Sequence, residues 1–172
     1  MLVDLPPPSL VVVNILAWAA IHLAVPLAVT RLRARRFRPG SWLYRERSWE
    51  RHGELYTRLF RVERWKRLLP DGAALFKRGF RKKRLASRAP AYLERFRLET
   101  CRSELSHLLV ILAAPLFWLW NPPPIGWVMI SYALAVNLPC IVAQRYNRSR
   151  LNRVLGPPAA PSALDEADVP LT

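Results

Sequence analysis

The sequence predicts an all-α integral membrane protein with three transmembrane helices, and the placement of charge carries that prediction. Ser9–Val29, Leu105–Trp120 and Ile125–Ala143 contain no Asp, Glu, Lys or Arg. Thr30–Glu104, between the first two, holds 23 of the 27 Lys and Arg and 8 of the 12 Asp and Glu, which accounts for the whole net charge of +15. A soluble domain interleaves charged and apolar surface; this chain segregates them. The arginines also fall on one side of every span, so the predicted topology is N-out and C-in. A basic amphipathic helical cytoplasmic segment then lies between helices one and two.

The elements follow in order. Residues 1–8 form an extracytoplasmic stub that is Pro-rich and has no Lys or Arg. It lacks the positive n-region of a cleaved signal peptide, and the apolar run behind it is longer than a signal core. Residues 9–29 are the first transmembrane helix. A bilayer core of ~30 Å needs about 20 apolar residues, and eleven of these 21 are Leu, Ile or Val. Arg31, Arg33, Arg35, Arg36 and Arg38 follow at once and mark the inner side. Residues 30–104 are the basic cytoplasmic segment, and residues 105–120, only 16 long, are the second span. Asn121-Pro122-Pro123-Pro124 is an uncharged external turn over residues 121–124, flanked by Trp118, Trp120 and Trp127 as an interfacial aromatic belt. Residues 125–143 are the third and weakest span, because Asn137 and Pro139 interrupt it. Arg145, Arg148, Arg150 and Arg153 lie in the basic cytoplasmic end, residues 144–155. The Pro- and Ala-rich tail, residues 156–172, has too little apolar surface to fold and is expected to be disordered.

Within the basic segment, Glu54–Leu69 reads as one amphipathic helix. Leu55, Leu59, Val62 and Leu69 form its apolar stripe, widened by Tyr56 and Trp65, with Arg61, Arg64 and Arg67 opposite and Arg58 and Lys66 snorkelling from the margin. Pro70-Asp71-Gly72 is a turn. Ala73–Leu85 is a second helix, carrying Lys77, Arg78, Arg81, Lys82, Lys83 and Arg84, a run that anionic membrane lipids attract. A third helix runs from Pro90 through Glu99 into span two. A basic run also suits nucleic acid, but no nucleic-acid motif accompanies it and the bilayer tethers it, so nucleic acid is not an expected partner. Cys101 and Cys140 both fall near the inner, reducing face, where a disulfide is disfavoured.

Chemistry concentrates where span two begins. On a helix, Glu99, Arg102 and His107 fall within about a 140° arc, and Glu104 and His107 are neighbours three residues apart. A carboxylate, a guanidinium and an imidazole at the lipid boundary form a functional candidate, and a His oriented by a carboxylate suits a general base. The same residues also suit simple snorkelling and pairing at a helix end. The antiparallel hairpin of spans two and three should bring Arg145-Tyr146-Asn147-Arg148 to the same depth. Cys101 lies six residues from His107, about 240° round the helix, which excludes a Cys–His dyad on that element. His22, His52 and His107 have no metal-ligand spacing, and neither a nucleophile elbow nor a Gly-rich phosphate loop is present, so no metal or cofactor is implied. In span one, Asn14, Trp18 and His22 share a face, which suits interhelical hydrogen bonding or a ligand headgroup. Pro139 frees a carbonyl near Ala135 that Asn137 is placed to satisfy.

Several blocks in order carry a family resemblance: Ser48-Trp49-Glu50-Arg51-His52-Gly53-Glu54-Leu55-Tyr56, Trp65-Lys66-Arg67-Leu68-Leu69-Pro70-Asp71-Gly72-Ala73, Glu99-Thr100-Cys101-Arg102-Ser103-Glu104, and Asn137-Leu138-Pro139-Cys140 with Gln144-Arg145-Tyr146-Asn147-Arg148. Together, over roughly Ser48–Leu151, they resemble the glycosyl-4,4′-diaponeurosporenoate acyltransferases. The resemblance implies a small, multi-pass bacterial protein of the cell (plasma) membrane. It implies esterification of a sugar hydroxyl on a glycosylated carotenoid or terpenoid lipid by a fatty acyl donor such as an acyl-CoA. The named member esterifies the glucose 6-hydroxyl of a glycosylated C30 carotenoid acid, the last step toward staphyloxanthin. The His-x4-Asp motif of glycerolipid acyltransferases is absent. In that frame His107, Glu104 and Glu99 are the expected catalytic residues, with His107 as base held by Glu104. Arg102, Asn137, Arg145, Asn147, Trp65 and Lys66 are the expected substrate-binding residues. The contrasting function is a non-catalytic membrane scaffold or anionic-lipid-binding protein; neither reading sets the oligomeric state.

Overall fold

The computed structural model describes residues 6–69 and 87–158. Among the described residues the regular structure is entirely helical, without strands. The elements are α1 (Pro7–Thr30), 3-10 turns at Ala34–Arg36 and Ser48–Gly53, α2 (Glu54–Arg58), α3 (Val62–Trp65), a 3-10 turn at Lys66–Leu68, α4 (Pro90–Ala113), a 3-10 stretch at Ala114–Leu119, and α5 (Pro123–Leu155). Three stretches are helical, long and apolar enough to cross a membrane: Pro7–Thr30, Pro90–Leu119 and Pro123–Leu155. The turn at Pro70-Asp71-Gly72, the helix at Ala73–Leu85 with its polybasic run, and most of the tail lie outside the described residues.

Prolines set several boundaries. Pro7 and Pro8 open α1, where the missing N–H costs nothing because the first turn has no acceptor for it. Pro123 opens α5 in the same way, so the turn expected over 121–124 shortens to Asn121-Pro122. Pro115 cannot donate back to Ile111, and the α-helix gives way at Ala113 to a 3-10 stretch. Span two is therefore not one α-helix to Trp120. In α5, by contrast, Asn137 and Pro139 do not interrupt the helix, which runs 33 residues through them.

The chain divides into two compact units, Met1–Leu32 with Leu105–Ile141, and Arg33–Glu104 with Val142–Thr172. In the first, Trp18, Val110, Ala114, Phe117 and Ala133 form the core. Trp18 stacks on Phe117 at 4.4 Å between centroids and donates its Nε1–H to Met129 Sδ at 3.2 Å. Asn14 is buried and exchanges hydrogen bonds with Asn121, at 2.9 and 2.8 Å, while Trp120 Nε1 donates to Asn14 Oδ1 at 2.8 Å. The shared face of Asn14 and Trp18 thus serves interhelical bonding. Trp120 turns into that network, whereas Trp127 stays exposed and meets Trp118 edge-on. Val11, Val12, Ile15, Leu16, Leu23 and Leu27 of α1 are exposed.

The second unit has two apolar clusters, Tyr56, Val62, Ala143 and Tyr146 in one and Leu93, Phe96 and Leu151 in the other. The single helix expected over Glu54–Leu69 is broken. Arg61 takes a left-handed backbone, φ 46°, between α2 and α3, and Leu59 is exposed rather than on a buried stripe. The break lets Tyr56 and Val62 enter one cluster together, and that burial offsets the ~1–2 kcal/mol of a non-Gly left-handed residue.

Candidate functional site

In the first unit, His107 on α4 meets Asn137 on α5. Asn137 is buried because α5 turns it inward opposite α4, and its amide is fixed at both ends. Nδ2 donates to the Ala133 carbonyl at 2.8 Å, one helical turn back, and Oδ1 lies 2.9 Å from His107 Nδ1. The expected partner, the carbonyl near Ala135, is two residues away and points off the side of the helix that Asn137 reaches. Because Nδ2 is committed to a carbonyl, Oδ1 must face the imidazole, and His107 Nδ1 must donate to it. The neutral ring then carries its lone pair on Nε2. This is the orientation a general base requires, held by an amide where a carboxylate was expected.

In the second unit, Glu104 is engaged by arginines. Its Oε1 accepts from Arg145 Nε at 2.8 Å and its Oε2 from Arg148 Nη2. Arg145 also donates through Nη1 to Glu50 and through Nη2 to the Leu43 carbonyl at 2.9 Å. Glu50 and Glu104 are both almost wholly buried. All three nitrogens of Arg145 therefore serve the protein itself, and the guanidinium clasps the Leu43–Glu50 segment against α4 and α5. Arg148 adds Thr100 Oγ1 at 3.4 Å and lies 5.7 Å from the Tyr44 ring centroid. Burial first, then the electrostatic influence of Cys101 and of Glu104, push the Tyr44 hydroxyl up to about 12 against the opposing pull of Arg148. Burial, aided by Glu50, likewise raises the Tyr56 hydroxyl.

The other expected residues sit in the second unit apart from Asn137. Glu99 and Arg102 form an i, i+3 ion pair, and the Arg102 guanidinium covers the Phe37 ring at 4.9 Å. Trp65 Nε1 donates to the Phe60 carbonyl at 2.7 Å, closing the break between α2 and α3. Lys66 Nζ sits 4.5 Å over the Tyr146 ring, and burial lowers its affinity for a proton. Asn147 is half-buried on α5. Sequence reasoning missed Glu50 as a buried acid; its sole signal was its place in the Ser48–Tyr56 block.

The Ser48–Gly53 turn is strained. Arg51 (φ 48°, ψ 52°), His52 (φ 52°, ψ 34°) and Gly53 (φ 88°) are successive left-handed residues. The two non-glycines cost ~1–2 kcal/mol each. Among the described residues no group of three or more His, Cys, Asp or Glu could hold a metal.

Residues 40–156 match the family model described as glycosyl-4,4′-diaponeurosporenoate acyltransferase. A protein of that name from Staphylococcus haemolyticus (strain JCSC1435) is 34% identical over 134 residues, 78% of each chain. One from Staphylococcus aureus (strain bovine RF122 / ET3-1) is 31% identical over 140 residues, 80% of this chain and 83% of its own. No solved structure matches.

Proposed function

The chain belongs to the glycosyl-4,4′-diaponeurosporenoate acyltransferase family, and from that membership we propose that it moves a fatty acyl group from an activated donor to a sugar hydroxyl of a glycosylated carotenoid or related apolar lipid. The observation that supports this most is the Ala133–Asn137–His107 chain of hydrogen bonds, which presets the imidazole tautomer. His107 Nε2 takes the proton of the sugar hydroxyl as its oxygen attacks the acyl carbonyl carbon. The tetrahedral adduct collapses with cleavage of the bond to the donor's leaving group, a thiolate for a thioester. The imidazolium returns its proton to that group, so ester and thiol leave and His107 is again neutral. The balance needs no cofactor.

In this reading Asn137 is a positioning residue. Arg145 also positions, because its donors hold Glu50 and Glu104. Arg102, Asn147, Trp65 and Lys66 remain candidates for contact with donor or acceptor, and Glu99 keeps Arg102 in place. The three long helices cross the cell membrane with the N-terminus outside and the basic segment inside. The arginines that follow α1 and those that occupy the last turns of α5 support that orientation.

The test replaces His107 with Ala and Asn137 with Ala in a host supplied with the glycosylated acceptor, with lipid extracts read by mass spectrometry and membrane levels by immunoblot. His107→Ala should abolish the ester at equal protein level. Asn137→Ala, which frees the ring to take the wrong tautomer, should leave a reduced rate. Full ester yield from His107→Ala would remove the imidazole from the mechanism.

A further inference from the structure

The strained Ser48–Gly53 turn has an inner and an outer side. On the inner side Glu50 is clamped by Arg145. Arg153 donates to the His52 carbonyl through Nε at 2.9 Å and through Nη2. Gly53 lies so close to α5 that an added Cβ would come 3.0 Å from Ser149 Cβ. These contacts hold the left-handed backbone in place, and strain held in this way is a mark of functional segments. On the outer side the turn presents Arg51 and His52 to solvent. With Ser48, Glu54 and Arg153 they line an open cleft of about 510 Å³.

Three of the lining residues carry donors. The Arg51 guanidinium is exposed, and Arg153 is oriented by the His52 carbonyl with its Nη1 group still able to donate. The Ser48 hydroxyl completes the set. Two acids border it: Glu54 lies 3.5 Å from Arg58, which offsets its charge, and Glu46 Oε1 lies 3.6 Å from His52 Nδ1. Two guanidiniums beside a hydroxyl suit a tetrahedral oxyanion with several acceptor oxygens better than a single carboxylate.

We propose that this cleft is a phosphate-ester site, and, resting on the acyl-transfer reading above, that it holds the phosphate end of the acyl donor. The donor would then be a nucleotide-type thioester. Phosphate esters also come from anionic lipid headgroups, so the experiment separates the two sources.

The full chain is placed in phosphatidylcholine nanodiscs and compared with Arg51→Gln, an exposed position whose replacement leaves the clamp intact. Adenosine 3′,5′-bisphosphate is the binding probe, and acyl-CoA and an acyl-N-acetylcysteamine thioester, which has no phosphate, are the two donors. Arg51→Gln should weaken bisphosphate binding about tenfold and raise the KM for acyl-CoA to the same degree, the size expected for one charge-assisted contact of ~1.4 kcal/mol. It should leave kcat and all kinetics with the phosphate-free thioester within about twofold, and Arg51→Lys should recover part of the loss, since a lysine keeps the charge but not the fork. Equal bisphosphate binding and equal acyl-CoA KM in wild type and variant overturn the proposal. A difference that arises only when phosphatidylglycerol replaces phosphatidylcholine overturns the donor assignment and gives the phosphate to a lipid headgroup. The acyl-transfer reading fails separately, by absence of transfer from either thioester, while bisphosphate binding still tests the cleft.

Discussion

Removing Arg145 should be among the costliest single changes available in this chain. Its side chain is 15% exposed, while the carboxylates it joins, Glu50 and Glu104, are each 2% exposed. Arg145→Ala leaves Glu104 with Arg148 but strands Glu50. Breaking a buried pair from one side costs about 3–5 kcal/mol, chiefly because the remaining charge stays out of water. For a chain of this length each kcal/mol moves Tm by about 2–4 °C, so the melting point should fall by roughly 6–20 °C. Tryptophan fluorescence during heating in detergent reads this directly, since the chain has 7 Trp. The double variant Glu50→Leu/Arg145→Met removes the stranded charge with its partner and should regain most of the loss. If Arg145→Ala melts within about 1 °C of wild type, or the double variant falls as far as the single one, the clasp is not what holds Leu43–Glu50 in place.

Two further outcomes follow from local contacts. Asn14→Leu removes the acceptor for both Trp120 and Asn121 and should cost about 0.6–2 kcal/mol, the range of interhelical bonds between spans; an unchanged melting curve would make that network dispensable. A hydrogen bond from the Tyr146 hydroxyl, helped by the Arg150 and Lys66 charges and opposed by slight burial, holds the Glu63 carboxyl below its usual 4.5. A depressed folded-state carboxylate contributes stability that is fully present above the unfolded value and is lost as pH falls through the folded one. Stability measured from pH 6 down to 3 should therefore decline less steeply in Tyr146→Phe than in wild type, and parallel acid limbs would refute the assignment.

How much of this was legible depended on range along the chain. Charge-free runs announced the apolar stretch of each of the three long helices, because length and apolar composition are local properties of the sequence. The face shared by Asn14 and Trp18 was readable at helical spacing, but its partner Asn121 lies 107 residues away and left no mark beyond being polar beside an apolar run. The break at Arg61 was hidden, since Glu54–Leu69 contains neither Gly nor Pro and only the tertiary burial of Tyr56 and Val62 calls for it. The spacing of Glu104 and His107 suggested a pair, yet a carboxylate goes where two guanidiniums satisfy it. Those guanidiniums are on α5, out of reach of any periodicity argument. His107 found an amide on α5 by the same long-range logic.

The outward row on α1, Val11, Val12, Ile15, Leu16, Leu23 and Leu27, has a consequence for how such an enzyme is measured. If those side chains rest among acyl tails, as proposed, catalyst and acceptor meet in a two-dimensional fluid. The effective concentration of the glycolipid is then its mole fraction in the host film, not its molarity in the tube. Adding inert phospholipid at constant amounts of protein and acceptor should slow turnover by dilution within the film alone.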